Sequence, residues 1–179
     1  MKKERLIIAG HSASGKDYLS ESLVKMGLKK SVTYTTRPIR NGEVDGEVDG
    51  EVYHFVSLDE FNIMESNNLF YEFEDFKVDN GDLWYYGSTN EDWDKCNLFI
   101  KTVRGINEIR KEDRDSCFIV FLDIPKDVRY QRLLERNDNN DSVNRRIESD
   151  EKDFDGFLDY DLKITDEDFD PQMVFDLMD

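Results

Sequence analysis

Leu6-Ile7-Ile8-Ala9-Gly10-His11-Ser12-Ala13-Ser14-Gly15-Lys16-Asp17 is the stretch that decides the fold. Its four apolar residues read as a buried strand, and the polar, glycine-bearing run after them opens a helical pattern. In the pattern G-x-x-x-x-G-K-[ST] two glycines let backbone N–H groups turn onto phosphate oxygens. The helix N-terminus adds its dipole, and the lysine reaches the outer phosphates. Gly10, Gly15 and Lys16 fit this pattern, with His11, Ser12, Ala13 and Ser14 as the loop between the glycines. Asp17 stands where a Mg²⁺-binding hydroxyl is expected, which makes it the candidate metal ligand. The bland alternative is a glycine turn from strand to helix, but the lysine and its spacing argue for the phosphate loop.

Working outward, 179 residues can bury a real core and suit one α/β unit with small insertions. Lys plus Arg total 24 against 41 Asp plus Glu, a net charge of −17, so the surface as a whole repels a nucleic-acid polymer. A small nucleotide remains a fitting ligand, because local arginines and N–H groups make its site. No apolar run approaches a membrane span, and Met1-Lys2-Lys3-Glu4-Arg5 leads into the first strand without the apolar stretch of a signal peptide. A cytoplasmic protein is expected. Cys96 and Cys117 lack metal-ligand spacing and read as reduced structural thiols.

Along the chain, strands and helices alternate. Tyr18 to Met26 reads as a helix stopped by Gly27, and Val32 to Thr35 as a short strand before a polar loop. Tyr53 to Val56 is strand-like, and Ser57-Leu58-Asp59-Glu60 is a capping box opening a helix that ends near Asn67. Leu69 to Phe76 and Leu83 to Gly87 read as strands of a small mixed sheet. Apolar strands followed by helices then return: 98–100 with a helix over 106–111, and 117–122 with a helix over 126–136. Their near-continuous apolar character predicts a parallel sheet covered by helices on both faces, carrying an inserted substrate lobe.

Residues 42–52 state the unit Gly-Glu-Val-Asp twice and begin it again. The unit is too short for a solenoid and lacks the ligand order and flanking helices of an EF-hand, so it reads as a solvated acidic loop. A second chemical cluster surrounds it. Thr33-Tyr34-Thr35-Thr36-Arg37-Pro38-Ile39-Arg40 sets two arginines beside hydroxyls, and Tyr53, Tyr86 and Ser88 add further O–H donors. That inventory suits one phosphate dianion. Glu72, among aromatics, is a carboxylate able to accept hydrogen bonds from a base edge. Each of these also has a plain structural reading, as a surface ion pair or as strand packing.

The joint pattern resembles the guanylate kinases over almost the full length. The resemblance is carried by the phosphate loop, by Thr35-Thr36-Arg37-Pro38-Ile39-Arg40-Asn41-Gly42-Glu43, by Tyr53-His54-Phe55-Val56-Ser57-Leu58-Asp59-Glu60-Phe61, by Tyr85-Tyr86-Gly87-Ser88-Thr89 and by later Arg-Leu and Arg-Arg segments. It implies a P-loop NTPase core over 1–32 and 97–179, a mixed α+β nucleoside-monophosphate lobe over about 33–96, and a short lid over about 136–148. It implies ATP, held with Mg²⁺ on residues 10–17, as phosphoryl donor and GMP or dGMP as acceptor. Arg37, Arg40, Tyr53 and Tyr86 match positions that hold the acceptor phosphate; Thr33, Glu72 and Ser88 match positions that read guanine. Arg132 or Arg136, together with Arg146, match lid arginines that join Lys16 in stabilising the transferring phosphoryl group.

The chain also departs from the family. Lys101-Thr102-Val103-Arg104-Gly105 stands where the family has a segment like Ile-Asp-x-Gln-Gly, so a guanine-side carboxylate is replaced by Thr102. Thr165-Asp166 occupies the stretch that meets adenine. The Gly-Lys-Asp ending of the loop also resembles P-loop kinases of ribose bisphosphate or other deoxynucleotides. A further alternative is a non-catalytic guanylate-kinase-like protein-binding module, although such modules lose the loop residues kept here.

Overall fold

A computed structural model describes residues 3–39, 53–77, 81–135 and 142–178. Chain contacts divide it into two compact units, residues 1–30 with 97–179, and 31–96. The expectations placed on Arg40, Arg136 and the Gly-Glu-Val-Asp repeat lie outside the described residues, as does the 136–141 part of the lid. The rest of the expected lid is helical, because Ser142 caps a helix from Val143.

The first unit is built on four parallel strands, β1 (Arg5–Gly10), β6 (Leu98–Ile100), β7 (Cys117–Leu122) and β8 (Leu162–Ile164), in the order β6-β1-β7-β8. β1 is therefore central, and the loop it feeds emerges from the middle of the sheet's carboxyl edge, where α/β sheets bind ligands. Leu6, Ile8, Leu98, Val120, Leu122 and Ile164 point to one face. They pack there with Leu19 and Leu23 of α1 (Lys16–Lys25) and Val174 of α7 (Pro171–Asp176). Their neighbours Ile7, Phe99, Ile119 and Phe121 are buried too, which is why these strands read as continuous apolar runs rather than alternating ones.

Two helices, α5 (Lys126–Glu135) and α6 (Val143–Asp153), flank the segment 136–141. The helix expected over 106–111 instead occupies 103–107 (α4), because Thr102 caps it: Thr102 Oγ1 accepts from Gly105 N at 3.0 Å. The start signal lies before the apolar residues, not within them.

The second unit holds a mixed sheet ordered β3-β2-β5-β4, from β2 (Thr33–Thr35), β3 (Tyr53–Phe55), β4 (Phe70–Lys77) and β5 (Leu83–Thr89). β2 and β3 are parallel, whereas β5 is antiparallel to both β2 and β4. The predicted capping box is present, with Ser57 and Glu60 bonding reciprocally at the start of α2 (Leu58–Ser66). Phe61 of α2, 1% exposed, stacks on Phe70 at 4.4 Å and meets Phe73 and Tyr85, so α2 covers one sheet face with aromatic contacts. A second capping box, Thr89 with Asp92, starts α3 (Asn90–Lys95), whose Trp93 lies flat on Tyr71 with ring centres 4.0 Å apart.

Candidate functional site

The candidate phosphate loop takes its shape from two glycines, one with no room for a side chain and one with a positive φ. A Cβ on Gly10 would stand 2.7 Å from Ser14 Oγ and 2.9 Å from the Leu122 carbonyl oxygen. Gly15 caps α1 at φ +94°, the left-handed region that a side chain strains. Ala13, at φ 58°, carries such strain itself, a feature common at ligand clamps. Leu19 N closes the first helical bond to Gly15 O, so the amides preceding it face the helix's N-terminal opening, the arrangement that attracts anions.

Lys16 folds across the loop, with Nζ 2.7 Å from both the Gly10 and the His11 carbonyl oxygens. Asp17 follows, exposed in the first turn of α1. It does not cap the helix, since Gly15 holds the cap position. Ser14 Oγ is fully buried and has no hydrogen-bond partner among the described residues. His11 is buried against Phe154 and Phe121, with ring centres 4.5 and 5.6 Å away. Burial, aided by the nearby Arg129 cation, lowers its pKa and keeps the imidazole neutral.

Beside the loop lies a cavity of about 220 Å³ lined by Ala13, Gly15, Tyr18, Arg132, Glu167 and Phe169. Tyr18 meets Phe169 edge-on at 5.9 Å, and Arg132 donates from Nη1 to the Ala13 carbonyl oxygen at 3.3 Å. Its Nη2 is 3.6 Å from Glu167 Oε2. Sequence reasoning named Arg132 but missed Tyr18, Glu167 and Phe169; the stretch it pointed to, Thr165-Asp166, stops one residue short of this wall. Arg146 lies half-buried in the first turns of α6.

In the second unit, strand pairing places the candidate acceptor residues together. Thr33 pairs with Tyr53, Thr35 with both Phe55 and Tyr86, Glu74 with Tyr86, and Glu72 with Ser88. Paired residues share a face and alternate residues return to it. Thr33, Tyr53, Glu72, Tyr86 and Ser88 therefore all sit on one face, opposite the face that α2 covers. Ser88 Oγ donates to Glu72 Oε1 over 2.5 Å. The Tyr53 and Tyr86 rings meet at 6.0 Å, and the Arg37 guanidinium lies 5.3 Å from the centre of the Tyr53 ring and 5.6 Å from that of Phe55. Arg37 is 4% exposed, and its position is set by its own N–H, which donates to Thr35 Oγ1 at 3.1 Å. Glu74, a buried carboxylate on this same face, was not singled out in the sequence; the strand's strict alternation from Glu72 is the signal that points to it.

Among the described residues no group of three or more His, Cys, Asp or Glu side chains is arranged to hold a metal, and no helix is long and apolar enough to cross a membrane. The Asp17 carboxylate, in the first turn of α1, instead has the hard-oxygen chemistry that suits an ion shared with substrate phosphates, the usual mode of Mg²⁺.

The description "Guanylate kinase" belongs to the family model that matches residues 2–176. A guanylate kinase of Buchnera aphidicola subsp. Schizaphis graminum is 33% identical over 174 residues, covering 91% of this chain and 80% of the relative. One from Helicobacter hepaticus is 34% identical over 140 residues, covering 73% and 66%. The crystal structure of guanylate kinase from Anaplasma phagocytophilum superposes with a TM-score of 0.66 at 19% identity, covering 99% of this chain and 82% of that one, which shows a shared α/β fold. With residues 2–176 inside the family model, this chain belongs to the guanylate kinase family.

Proposed function

We propose that this protein transfers the γ-phosphoryl group of ATP to GMP, and to dGMP, giving the diphosphate and ADP. The observation that carries the acceptor assignment is the single sheet face on which Thr33, Tyr53, Glu72, Tyr86 and Ser88 converge, with Arg37 over Tyr53 and Phe55. On this reading Arg37, Tyr53 and Tyr86, with Arg40, hold the acceptor phosphate through a charge-assisted fork and phenolic donors. Glu72 accepts from the N–H edge of guanine, and the Ser88 bond keeps its carboxylate turned to that task. Thr33 supplies a further hydroxyl on the same face, from the other side of β5.

The donor lies on residues 10–17, its phosphates against the N-terminal amides of α1 and its base in the cavity walled by Tyr18, Arg132 and Phe169. Lys16 leaves the two loop carbonyls for the phosphate oxygens and stabilises the charge that develops there. Arg132 and Arg146, with Arg136, add positive charge to the transferring group. Bound Mg²⁺ would neutralise the phosphate oxygens, and Asp17 is the side chain placed to hold it. Residues of the 101–105 segment bear on base choice: the Thr102 hydroxyl is engaged in capping α4, so it does not replace a carboxylate acceptor in strength. A cytoplasmic location belongs to the same proposal, since ATP and GMP are its substrates.

The test is a coupled assay of ADP release with ATP and a panel of ribo- and deoxynucleoside monophosphates, run for the wild type and for Lys16→Ala. GMP and dGMP are expected as the best acceptors, and the variant is expected to lose ~10²- to 10³-fold in kcat while remaining folded. A sugar phosphate as the preferred acceptor, or near-normal turnover in folded Lys16→Ala, overturns the reading.

A further inference from the structure

Asp150 lies 138 residues from the phosphate loop in sequence yet bonds directly to it. Its Oδ2 accepts from the Ser12 backbone N–H at 2.5 Å, and its Oδ1 from Ser12 Oγ at 3.2 Å. Behind it stands Arg129 of α5, 2% exposed and among the largest fully buried side chains of the described residues. Arg129 Nε donates to the Ile124 carbonyl oxygen at 2.8 Å, and its Nη2 donates to Glu151 Oε1 at 2.6 Å. Its Nη1 makes no hydrogen bond among the described residues and is 3.9 Å from Asp150 Oδ2. A buried guanidinium is costly unless carboxylates face it, and Glu151 and Asp150 supply them from adjacent positions of α6.

A carboxylate on a loop amide admits two roles. It either competes with phosphate for that amide or holds the loop in shape. The geometry separates them. The amides at the start of α1 precede the first helical bond, Leu19 N to Gly15 O, the position that attracts an anion, whereas Ser12 lies earlier in the loop and Ser14 N already turns back to His11 O at 3.3 Å. The Ser12 amide thus stands apart from the helix-start group and is taken by Asp150. From α5, Arg132 takes the adjacent Ala13 carbonyl oxygen. One residue from each of the two helices flanking 136–141 therefore grips consecutive loop residues, and Ala13 between those grips holds a positive φ.

We propose that Asp150, backed by Arg129, is a positioning residue: it clamps Ser12 so that the strained loop holds its phosphate-binding shape before nucleotide arrives, and it ties that shape to α5 and α6. The clamp stabilises the loop in the state ATP requires, so it acts on the donor nucleotide and not on the acceptor. It rests on the reading of residues 10–17 as the ATP phosphate site.

Three readouts test it. Asp150→Ala is expected to raise KM for ATP by about tenfold, the loss of one charge-assisted bond, with KM for GMP within about twofold of wild type. Asp150→Asn, which keeps an acceptor for the Ser12 amide, is expected to return KM for ATP to within about threefold of wild type. In the wild type without nucleotide, the Ser12 amide hydrogen is expected to exchange at least about tenfold more slowly than in an unstructured chain. An unchanged KM for ATP in a folded Asp150→Ala variant, an equal rise in both KM values, or an unprotected Ser12 amide overturns the clamp. The exchange measurement stands even where the alanine variant does not fold. It also separates the two readings: wild type without ATP-dependent turnover but with a protected Ser12 amide refutes the kinase assignment and leaves the contact itself in place.

Discussion

Glu72→Gln probes the acceptor face with little disturbance to the fold. It exchanges one carboxylate oxygen for an amide nitrogen and leaves the side chain's shape and the pairing of Glu72 with Ser88 unchanged. The Ser88 hydroxyl now donates to Glu72 Oε1; a glutamine amide oxygen accepts that same bond, so stability is expected to move by less than ~1 kcal/mol. The loss falls on the charge offered to the guanine N–H edge. A hydrogen bond to a charged group contributes ~1.5–3 kcal/mol, which at ~1.4 kcal/mol per tenfold raises KM for GMP by ~10- to 150-fold. KM for ATP should stay within about twofold, because independent sites are close to additive and residues 10–17 belong to the other compact unit. Discrimination between GMP and AMP narrows, since adenine presents no matching pair of donors to a carboxylate. Steady-state ADP release with each monophosphate, beside a thermal melt of the variant, measures all of this. A GMP KM equal to wild type, or an ATP KM that rises in step with it, refutes the assignment of this face to the guanine base.

Asp17→Thr is expected to bind ATP about fivefold more tightly than wild type in Mg²⁺-free buffer, because an exposed charge about 4 Å from a phosphate repels it by ~1 kcal/mol in water. The two affinities should converge as Mg²⁺ saturates, and superimposable titrations would remove Asp17 from the metal. Stability against pH should show the mark of Glu151, whose pKa lies below its usual 4.5 chiefly through the hydrogen bond from Arg129. A lowered folded-state pKa means that its contribution is present above pH 4.5 and is lost as the pH falls through the folded value. Glu151→Gln should therefore melt lower than wild type at neutral pH and lose less on acidification, as thermal melts across that range would register.

How much of this was legible depended on whether the signal was local. The strand before Gly10, the two loop glycines and Lys16 lie within one turn of chain, and the Ser57–Glu60 capping box is a four-residue signature, so both could be read before any fold was known. The acceptor residues were legible as chemistry, through arginines, tyrosines and a carboxylate in suggestive order. Their convergence was not, since it depends on β5 pairing with β2 on one side and β4 on the other. The misplaced α4 shows the opposite weakness: apolar residues at 106 and 109 drew the helix forward, while the start was fixed by the single hydroxyl of Thr102. The cavity beside Arg132 was seen from one wall, because Tyr18 reads as part of a helix's opening turn and Phe169 as one aromatic in an acidic tail.

Asp150 marks where sequence reasoning ends for a physical reason. Residues 148–155 read Glu-Ser-Asp-Glu-Lys-Asp-Phe-Asp, and in a chain of net charge −17 such a run looks like a solvated helix face. No periodicity distinguishes the one carboxylate that turns inward. What singles it out is a cation elsewhere: Arg129 sits on α5 where its side chain is almost fully buried, and a charge so placed must be met by carboxylates from the neighbouring helix. Glu151 meets it while 45% exposed, so that pair alone is screened by water; Asp150, at 17%, is the more enclosed partner and the one that also reaches the loop. The buried arginine thus bonds Glu151 and stands 3.9 Å from Asp150, and of these two acids Asp150 is the one that also carries the position of α6 to Ser12.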